Sequence, residues 1–440
     1  MRSGNSPSGM RSFTVVWAGQ FASMLGTRMT NFALTIWAWQ LTHEATALAL
    51  VGLFFMAPSI LMSPLAGALV DRWNRKLAMM LSDIAAGLGT LIIFILLVSS
   101  RLEMWHLYPI FAFAGLFQSF QFPAYSAAVS TMVPKQQYAR TSGMLSLAQN
   151  ASGILGPIAA GVALNIVNTE GILLFDMISL IIAIGALLVV KIPQPEVIEA
   201  KNVKKNSLIK DSVFGFKYVF ARPGLLGLQL TFFVTNFIGN LCYPLLTPMV
   251  LARTSNNSLI LGSVQSAFGV GGVAGGLALS ATGGTKRKVH GIVIGLTVSS
   301  LGTAALGLGR EPLTWIAAAF IMMVFNPLIN GSNQAIWQSK VPPEMQGRIF
   351  STRLLIATMS APIAMAITGP LADRLLIPGM MPEGWLTPSF SWLVGIGPGA
   401  GISLLFIFMG LLGLFVGSAG YMSKQVRNVE DILPDYDSAC

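Results

Sequence analysis

Residues 46–99 read TALALVGLFFMAPSILMSPLAGALVDRWNRKLAMMLSDIAAGLGTLIIFILLVS, two long apolar stretches joined by the charged turn DRWNRK. A helix needs about 20 mostly apolar residues to cross the hydrocarbon core of a bilayer. Each stretch meets that length, whereas the turn carries charged side chains that are costly to place in lipid. The segment therefore predicts two membrane-spanning helices that turn back at one membrane surface.

The same apolar pattern continues along the whole chain. Mean hydropathy is +0.69, and 54% of the residues are hydrophobic against 10% charged, which lies outside the range of soluble domains. Predicted spans lie at 13–41, 46–70, 77–99, 104–132, 139–167, 171–190, 224–250, 259–281, 289–309, 313–339, 347–377 and 394–421. We therefore predict an all-α membrane protein with twelve transmembrane helices in two pseudo-symmetric six-helix bundles.

Basic residues alternate between the loops that join the predicted spans. Most of the 27 Lys and Arg residues fall in every second loop, with clusters at 72–76, 191–222 and 286–288. Because basic loops stay on the cytoplasmic side, we expect both termini in the cytoplasm and the chain in the inner or plasma membrane. The formal charge of +10 then reflects membrane topology. We expect the lipid bilayer, and no nucleic acid, as a partner.

A basic linker divides the chain, and a repeated segment relates its halves. The sequence VPKQQYAR at 133–140 recurs as VPPEMQGR at 341–348, each time between the fourth and fifth span of its half. Parallel repeats are one plan of secondary transporters, with substrate bound near the membrane midplane. The predicted parts are an N-terminal six-helix bundle (1–190), a cytoplasmic linker with a short amphipathic helix near Leu208–Phe220 (191–222), a C-terminal six-helix bundle (223–421) and a cytoplasmic tail (422–440).

The turn after the second span has a specific pattern: a Gly, an Asp four residues later, an Arg and a basic pair. These residues are Gly67, Asp71, Arg72, Arg75 and Lys76. The pattern resembles the signature loop of the major facilitator superfamily, and the resemblance covers all twelve spans. In that family the loop is a cytoplasmic latch, which implies a latch role for these residues and for Arg140 and Arg348 of the repeated segments. A positive-inside anchor alone is the simpler alternative.

The fifth span contains GILGPIAAG at 153–161, where small residues allow close helix packing and proline bends the backbone. Gly153, Gly156, Pro157 and Gly161 resemble the motif of proton-coupled exporters in the same superfamily, although Ala160 replaces one of its two terminal glycines. Generic helix packing is the alternative. Together these motifs are most similar to the drug-efflux branch that includes macrolide and siderophore exporters.

Polar side chains recur at helical spacing along the first and fourth spans of each half, so that each set forms one stripe. The stripes contain Arg28 and Asn31; Gln118, Gln121 and Tyr125; Asn236 and Asn240; and Asn326, Asn330 and Asn333. Because apolar spans expose polar groups only to protein or water, they predict an amide-lined substrate cavity. Hydrogen bonds between helices would explain any single stripe.

Three ionisable residues stand out within the predicted spans. We expect the guanidinium of Arg28 to be buried and to recognise an anionic group. The alternatives are that it pairs with an internal acid or that it reaches toward the cytoplasm. Asp83 and Asp176 are the acids best placed for proton coupling. Coupling itself is an implication of the resemblance.

These features predict a secondary active transporter that works by alternating access and exports an amphipathic small molecule, such as a drug, macrolide or siderophore-like compound, in exchange for protons. The alternatives are uptake or facilitated transport of an anionic or polar metabolite, and a non-transporting receptor or lipid scramblase on the same scaffold. We expect no enzymatic activity, cofactor or metal site. The sequence lacks GxxxxGK[ST], which argues against an ATP-driven pump. We expect a monomer.

Overall fold

The computed structural model describes residues 8–70, 73–134, 137–192, 215–342 and 345–436, and the regular elements within them are helical. The first part of the chain forms α1 (Ser8–Thr42), α2 (Ala45–Val70), α3 (Arg75–Val98), α4 (Met104–Met132) and α5 (Tyr138–Val189). A short helix, α6, covers 215–220. The second part forms α7 (Pro223–Arg253), α8 (Ser258–Thr282), α9 (Lys288–Leu308), α10 (Pro312–Val324), α11 (Asn326–Lys340), α12 (Gln346–Leu371), a π-helical turn (Ala372–Leu376), α13 (Ile377–Gly379), α14 (Thr387–Val394), α15 (Pro398–Met422), α16 (Lys424–Arg427) and α17 (Val429–Ile432).

The predicted all-α membrane fold is confirmed. Within the described residues, nine helical stretches are long and apolar enough to cross a bilayer. Predicted spans five and six are joined in α5, where Asn168 adopts φ 54° and ψ −171° and interrupts the helical backbone. Positive φ is uncommon outside glycine, and Asn is one of the residues that adopt it most often. The count of twelve crossings remains a prediction.

Predicted span ten is also interrupted, between α10 and α11. Pro327 lies in the first turn of α11, and Phe325 separates the two helices. Proline has no backbone N–H, and its ring clashes with the carbonyl four residues earlier, so a continuous helix is disfavoured here. The break therefore follows directly from the sequence Asn326–Pro327.

The described chain forms two compact units. The first lies within residues 1–198 and 256–266, and the second within 199–255 and 267–440. In the first unit α1 packs along α5 and α2 along α4, with Phe13 and Leu187 among the buried core residues. In the second unit α15 packs against α9 and α7, and α12 packs against α7. The start of α8 therefore belongs to the first unit.

The predicted linker and its amphipathic helix near Leu208–Phe220 are described only in part. Residues 193–214 lie outside the described ranges, whereas 215–220 form α6. Tyr218 and Val219 of this helix pack into the core of the second unit. The boundaries predicted for the four parts of the chain remain expectations.

Large apolar side chains cover the outward faces of the long helices. Ile181 is 68% exposed, Val189 is 82% exposed and Phe415 is 69% exposed. Long helices that expose so many large apolar side chains are rare in soluble monomers. Lipid tails solvate such surface, as expected for a multi-pass membrane protein.

A segment after α15 binds back onto the second unit through charged groups. The Glu430 carboxylate accepts hydrogen bonds from the backbone N–H groups of Lys288 (3.0 Å) and Val289 (2.9 Å), at the start of α9. An anion at this position satisfies free amide donors and complements the helix dipole. Arg287 and Asp431 form an ion pair beside it. The segment is therefore docked on the first turn of α9.

Lys340, the last residue of α11, holds the same segment from a second side. It is 3% exposed, and its ammonium donates hydrogen bonds to the carbonyls of Glu430 and Leu433 and pairs with Asp435 at 2.8 Å. A buried lysine is tolerated when its N–H groups find acceptors, as they do here. Lys340 and Glu430 together fix the tail segment, residues 423–436.

We expect Lys340→Ala to release the tail segment, because two carbonyls and the Asp435 carboxylate lose their shared donor. The free energy of unfolding should fall by about 1–3 kcal/mol, as when buried polar groups lose a partner. Thermal unfolding of the purified protein and hydrogen exchange of the tail backbone measure the effect. Lys424→Ala, at an exposed position in the same segment, is the control. Equal behaviour of the two variants would contradict the role of Lys340.

Candidate functional site

A buried carboxyl on α3 lies among amide side chains of the first unit. Asp83 is 6% exposed. Its Oδ2 accepts a hydrogen bond from Gln20 Nε2 at 2.7 Å, and its Oδ1 accepts one from Gln121 Nε2 at 3.0 Å. Gln121 Nε2 also donates to Gln20 Oε1 at 2.9 Å. No cation among the described residues forms an ion pair with Asp83, so neutral amides from α1 and α4 hold this carboxyl.

Two polar atoms on α4 accompany this network. Gln121 Oε1 and Tyr125 Oη are buried and have no hydrogen-bond partner within the described residues. Tyr125 lies one helical turn after Gln121, on the same side of α4. The third residue of the predicted stripe, Gln118, is exposed instead. Of the α4 stripe, Gln121 is therefore the residue that hydrogen-bonds to a buried acid.

A second buried carboxyl lies on α5, beyond the interruption at Asn168. Asp176 is 5% exposed and accepts hydrogen bonds from the hydroxyls of Thr27 (3.3 Å) and Thr90 (3.1 Å). A Cβ at Gly26 would lie 2.8 Å from Asp176 Oδ1, which is closer than real contacts allow. Glycine at this position therefore permits the approach of α1 to the acid.

The predicted exporter-like motif on α5 is a packing surface within the first unit. A Cβ at Gly156 would lie 2.6 Å from Arg28 Cβ, so α1 crosses α5 in direct contact at this point. A Cβ at Gly161 would lie 2.9 Å from the Ser258 carbonyl oxygen at the start of α8. The Ser258 hydroxyl donates to the Gly161 carbonyl at 3.2 Å. These close contacts explain why residues 156 and 161 are glycines.

Pro157 and Gly153 complete the motif in different ways. A Cβ at Gly262 on α8 would lie 2.5 Å from the Pro157 carbonyl oxygen, so α8 is also in close contact at Pro157. In contrast, a Cβ at Gly153 would meet no atom within 4 Å. The role of the motif in export remains a prediction, whereas its role in packing is visible in these distances.

The structure corrects the expectation that the Arg28 guanidinium is buried. Arg28 is exposed, as is Asn31 on the same helix. A Cβ at Gly156 would also lie 3.6 Å from Arg28 Cγ, so the start of this side chain packs against α5. No carboxylate among the described residues pairs with Arg28. The α1 stripe is thus separate from the two buried acids.

In the second unit, Asn236 and Asn240 of α7 and Asn326 of α11 line one cavity of about 320 Å³. Asn240 Nδ2 donates to the Asn236 carbonyl at 2.8 Å and to Ser360 Oγ at 3.4 Å. These bonds tie the α7 stripe to α12. Three of the predicted substrate-binding amides therefore line the same ligand-sized space.

The remaining α11 amides lie outside the lining of this cavity. Asn330 Nδ2 donates to Asn326 Oδ1 at 2.9 Å and is exposed. Asn333 is 2% exposed, and its Oδ1 has no partner in the described part of the chain. Of the predicted α11 stripe, Asn326 therefore lines the cavity, Asn330 lies at the surface and Asn333 lies in the core.

The predicted latch is described only in part. Asp71 and Arg72 lie outside the described residues, Gly67 and Arg348 lie within α2 and α12, and Arg140 on α5 is exposed.

Lys76 Nζ donates to the carbonyls of Leu188 (3.0 Å) and Val190 (3.1 Å). Arg75 is half-buried at the start of α3. A cation that binds free carbonyls at a helix end is a common C-terminal cap. Lys76 therefore caps the C-terminal end of α5. The latch role of the loop remains a prediction.

Sequence reasoning missed Gln20, which binds Asp83 directly. A lone amide in an apolar span was the available signal, and Gln20 precedes Thr27 by seven residues, which places both on one face of α1. It also missed Arg353 on α12. This guanidinium donates to Gln334 Oε1 at 2.8 Å and lies 5.3 Å from the ring centroid of Trp337.

The two glycines at the start of the α5 motif allow a matched test of helix packing. Gly156→Ala should lower the free energy of unfolding by about 1–3 kcal/mol, because the added methyl group overpacks the α1 crossing. Gly153→Ala should be neutral or slightly stabilising, since its methyl group enters open space. Thermal unfolding of the two purified variants gives the comparison. Equal losses in both would rule out the close crossing.

Two bacterial efflux proteins are similar in sequence to this chain over most of its length. The chain is 23% identical over 368 residues to Macrolide efflux protein A of Streptococcus pyogenes, covering 82% of this chain and 90% of that protein. It is 23% identical over 367 residues to Multidrug efflux pump Tap of Mycolicibacterium fortuitum, covering 80% and 88%.

A solved structure has the same fold. It is a bacterial homolog of the human lysosomal transporter Spinster in an inward-facing, unoccupied conformation, with a TM-score of 0.72 and 14% identity over 99% of this chain and 100% of that one. Residues 16–365 match the family model described as Major Facilitator Superfamily, which is most of the chain. The chain therefore belongs to the major facilitator superfamily of membrane transporters.

Proposed function

We propose that this transporter exports an amphipathic organic compound by alternating access, in exchange for protons that enter the cell. The names of its relatives, a macrolide efflux protein and a multidrug efflux pump, support export and this substrate class. In this proposal the transporter is a monomer, and both termini lie in the cytoplasm because the basic loops then lie on the cytoplasmic side.

The Asp83 network is the observation that carries the proton-coupled part of the proposal. As a carboxylate, Asp83 accepts hydrogen bonds from Gln20 and Gln121. A protonated carboxyl has an O–H to donate, and an amide offers an oxygen as well as a nitrogen. Gln121 Oε1 has no partner among the described residues and is one rotation away from accepting that bond. The network can therefore satisfy Asp83 in both protonation states.

Asp176 has surroundings of the same kind. The hydroxyls of Thr27 and Thr90 can each donate or accept a hydrogen bond, so they suit a carboxylate and a carboxylic acid alike. Gln20 and Thr27 contact the two different acids and lie seven residues apart, about 10 Å along α1. The two acids thus occupy separate levels of the first unit, and either can hold a proton without crowding the other.

The energetics limit what one exchanged proton can achieve. A gradient of one pH unit corresponds to about 1.4 kcal/mol per proton, which supports at most about a tenfold substrate gradient. Accumulation above that level in such a gradient would require more than one proton per substrate. Two buried acids are consistent with either stoichiometry.

The test uses purified protein in proteoliposomes with an imposed pH gradient, a panel of amphipathic drugs and anionic metabolites, and a dye that reports internal pH. Wild-type protein should transport an amphipathic drug in one direction while protons move in the opposite direction. Asp83→Asn should abolish accumulation driven by the pH gradient, while flux down the drug's own gradient continues. Glu383→Gln, at an exposed acid, is the control.

The other outcomes separate the alternatives. Unchanged accumulation in Asp83→Asn would remove Asp83 from the mechanism, and unchanged accumulation in Asp176→Asn as well would end the antiport proposal. Flux of anionic metabolites alone, lost in Arg28→Gln, would favour uptake of such compounds. Movement of lipid without any substrate would favour a scramblase.

A further inference from the structure

The cavity of the second unit is lined by both polar and apolar side chains. Asn236, Asn240, Ser300 and Thr303 supply amide and hydroxyl groups, and Phe268, Met322 and Met409 supply an apolar and sulfur-containing surface. Within the described residues, the side chains of Asn236 and Ser300 make no hydrogen bond to another protein group. A ligand that carries both polar and apolar groups would match this lining.

The wall of this cavity carries no formal charge. Among the described residues that line it there is no Asp, Glu, Lys, Arg or His. A charged ligand would leave water without an opposite charge to receive it, which is strongly unfavourable in a membrane interior. The wall therefore selects for uncharged ligands, in contrast to the acids of the first unit.

The volume of the cavity limits the size of its ligand. About 320 Å³ lies at the lower end of the range of about 300–1,000 Å³ found for ligand pockets. A macrocycle that carries sugar groups cannot be enclosed in this space. A compact compound with one or two rings fits the limit.

We propose that the cavity binds a small, uncharged, amphipathic compound, with its polar groups toward Asn236 and Ser300 and its apolar part against Met322 and Phe268. This inference rests on the proposed transport function, because it names the substrate class that the second unit receives. Flexible methionine side chains adapt to ligands of different shape. The same wall therefore accepts a series of related neutral compounds.

Gly239 offers a way to fill the cavity without disturbing α7. It lines the cavity, and a Cβ at this position would meet no atom within 4 Å. Gly239→Leu therefore places a side chain in the space that the ligand needs. We expect it to weaken binding of chloramphenicol and thiamphenicol, two neutral amphipathic probes, by at least tenfold.

The matched control is Gly185→Leu in the first unit. A Cβ there would also meet no atom within 4 Å. Gly185 lies three or four positions from Ile181, Ile182 and Leu188, which are 68%, 54% and 58% exposed, so it shares their outward face. This variant should bind both probes as wild-type protein does.

Equilibrium dialysis of radiolabelled probes against the purified full-length protein, without any pH gradient, measures binding. Tetraphenylphosphonium serves as a charged probe and should bind at least tenfold more weakly than chloramphenicol. The proposal is overturned if wild-type protein binds neither neutral probe, if Gly239→Leu binds them as tightly as wild-type protein does, or if the charged probe binds equally well.

Failure of this inference is distinguishable from failure of the proposed function. Proton-driven drug flux in proteoliposomes that persists in Gly239→Leu would retain the transport proposal and reject this cavity as the ligand site. Binding that Gly239→Leu abolishes, together with an absence of flux in wild-type protein, would support the site and reject export.

Discussion

Water is excluded from the hydrocarbon core of a bilayer, so each polar group of a spanning helix must find its partner within the protein. The helical backbone meets this requirement for its own amide groups. The buried acids of the first unit meet it through side chains, Asp83 through Gln20 and Gln121 and Asp176 through threonines. Because these partners come from different helices, the bonds that satisfy the acids also connect α1 with α3, α4 and α5.

The second unit meets the same requirement in another way. Its cavity is surrounded by amides, hydroxyls and apolar side chains without formal charge, and the buried cation Lys340 lies at the end of a helix, where backbone carbonyls receive it. The buried carboxyls Asp83 and Asp176 thus lie among the helices of the first unit, whereas the cavity of the second unit is lined by uncharged side chains. In the mechanism that we propose, proton binding and ligand binding therefore depend on residues in different parts of the chain.

The sequence predicts the helices well, because length and apolarity are local properties. The predicted span 104–132 coincides with α4 (Met104–Met132), and 77–99 differs from α3 by two residues at its start. The partners of the acids could not be predicted, since they depend on which faces of distant helices meet. Gln20 and Asp83 are 63 residues apart, and nothing in either span indicates their hydrogen bond. The exposure of Arg28 likewise depends on how α1 packs against distant helices, which its own span does not indicate.

The docked tail segment sets an order of events during synthesis of the chain. Lys340 leaves the ribosome 90 residues before Glu430, and α12 to α15 must be inserted in between. Until residues 430–435 emerge, the Lys340 ammonium and the first amides of α9 have no access to these acceptors. The second unit therefore completes its charged contacts only after its last long helix is in place. A chain stopped before Glu430 would leave the Lys340 ammonium and the first amides of α9 without these acceptors.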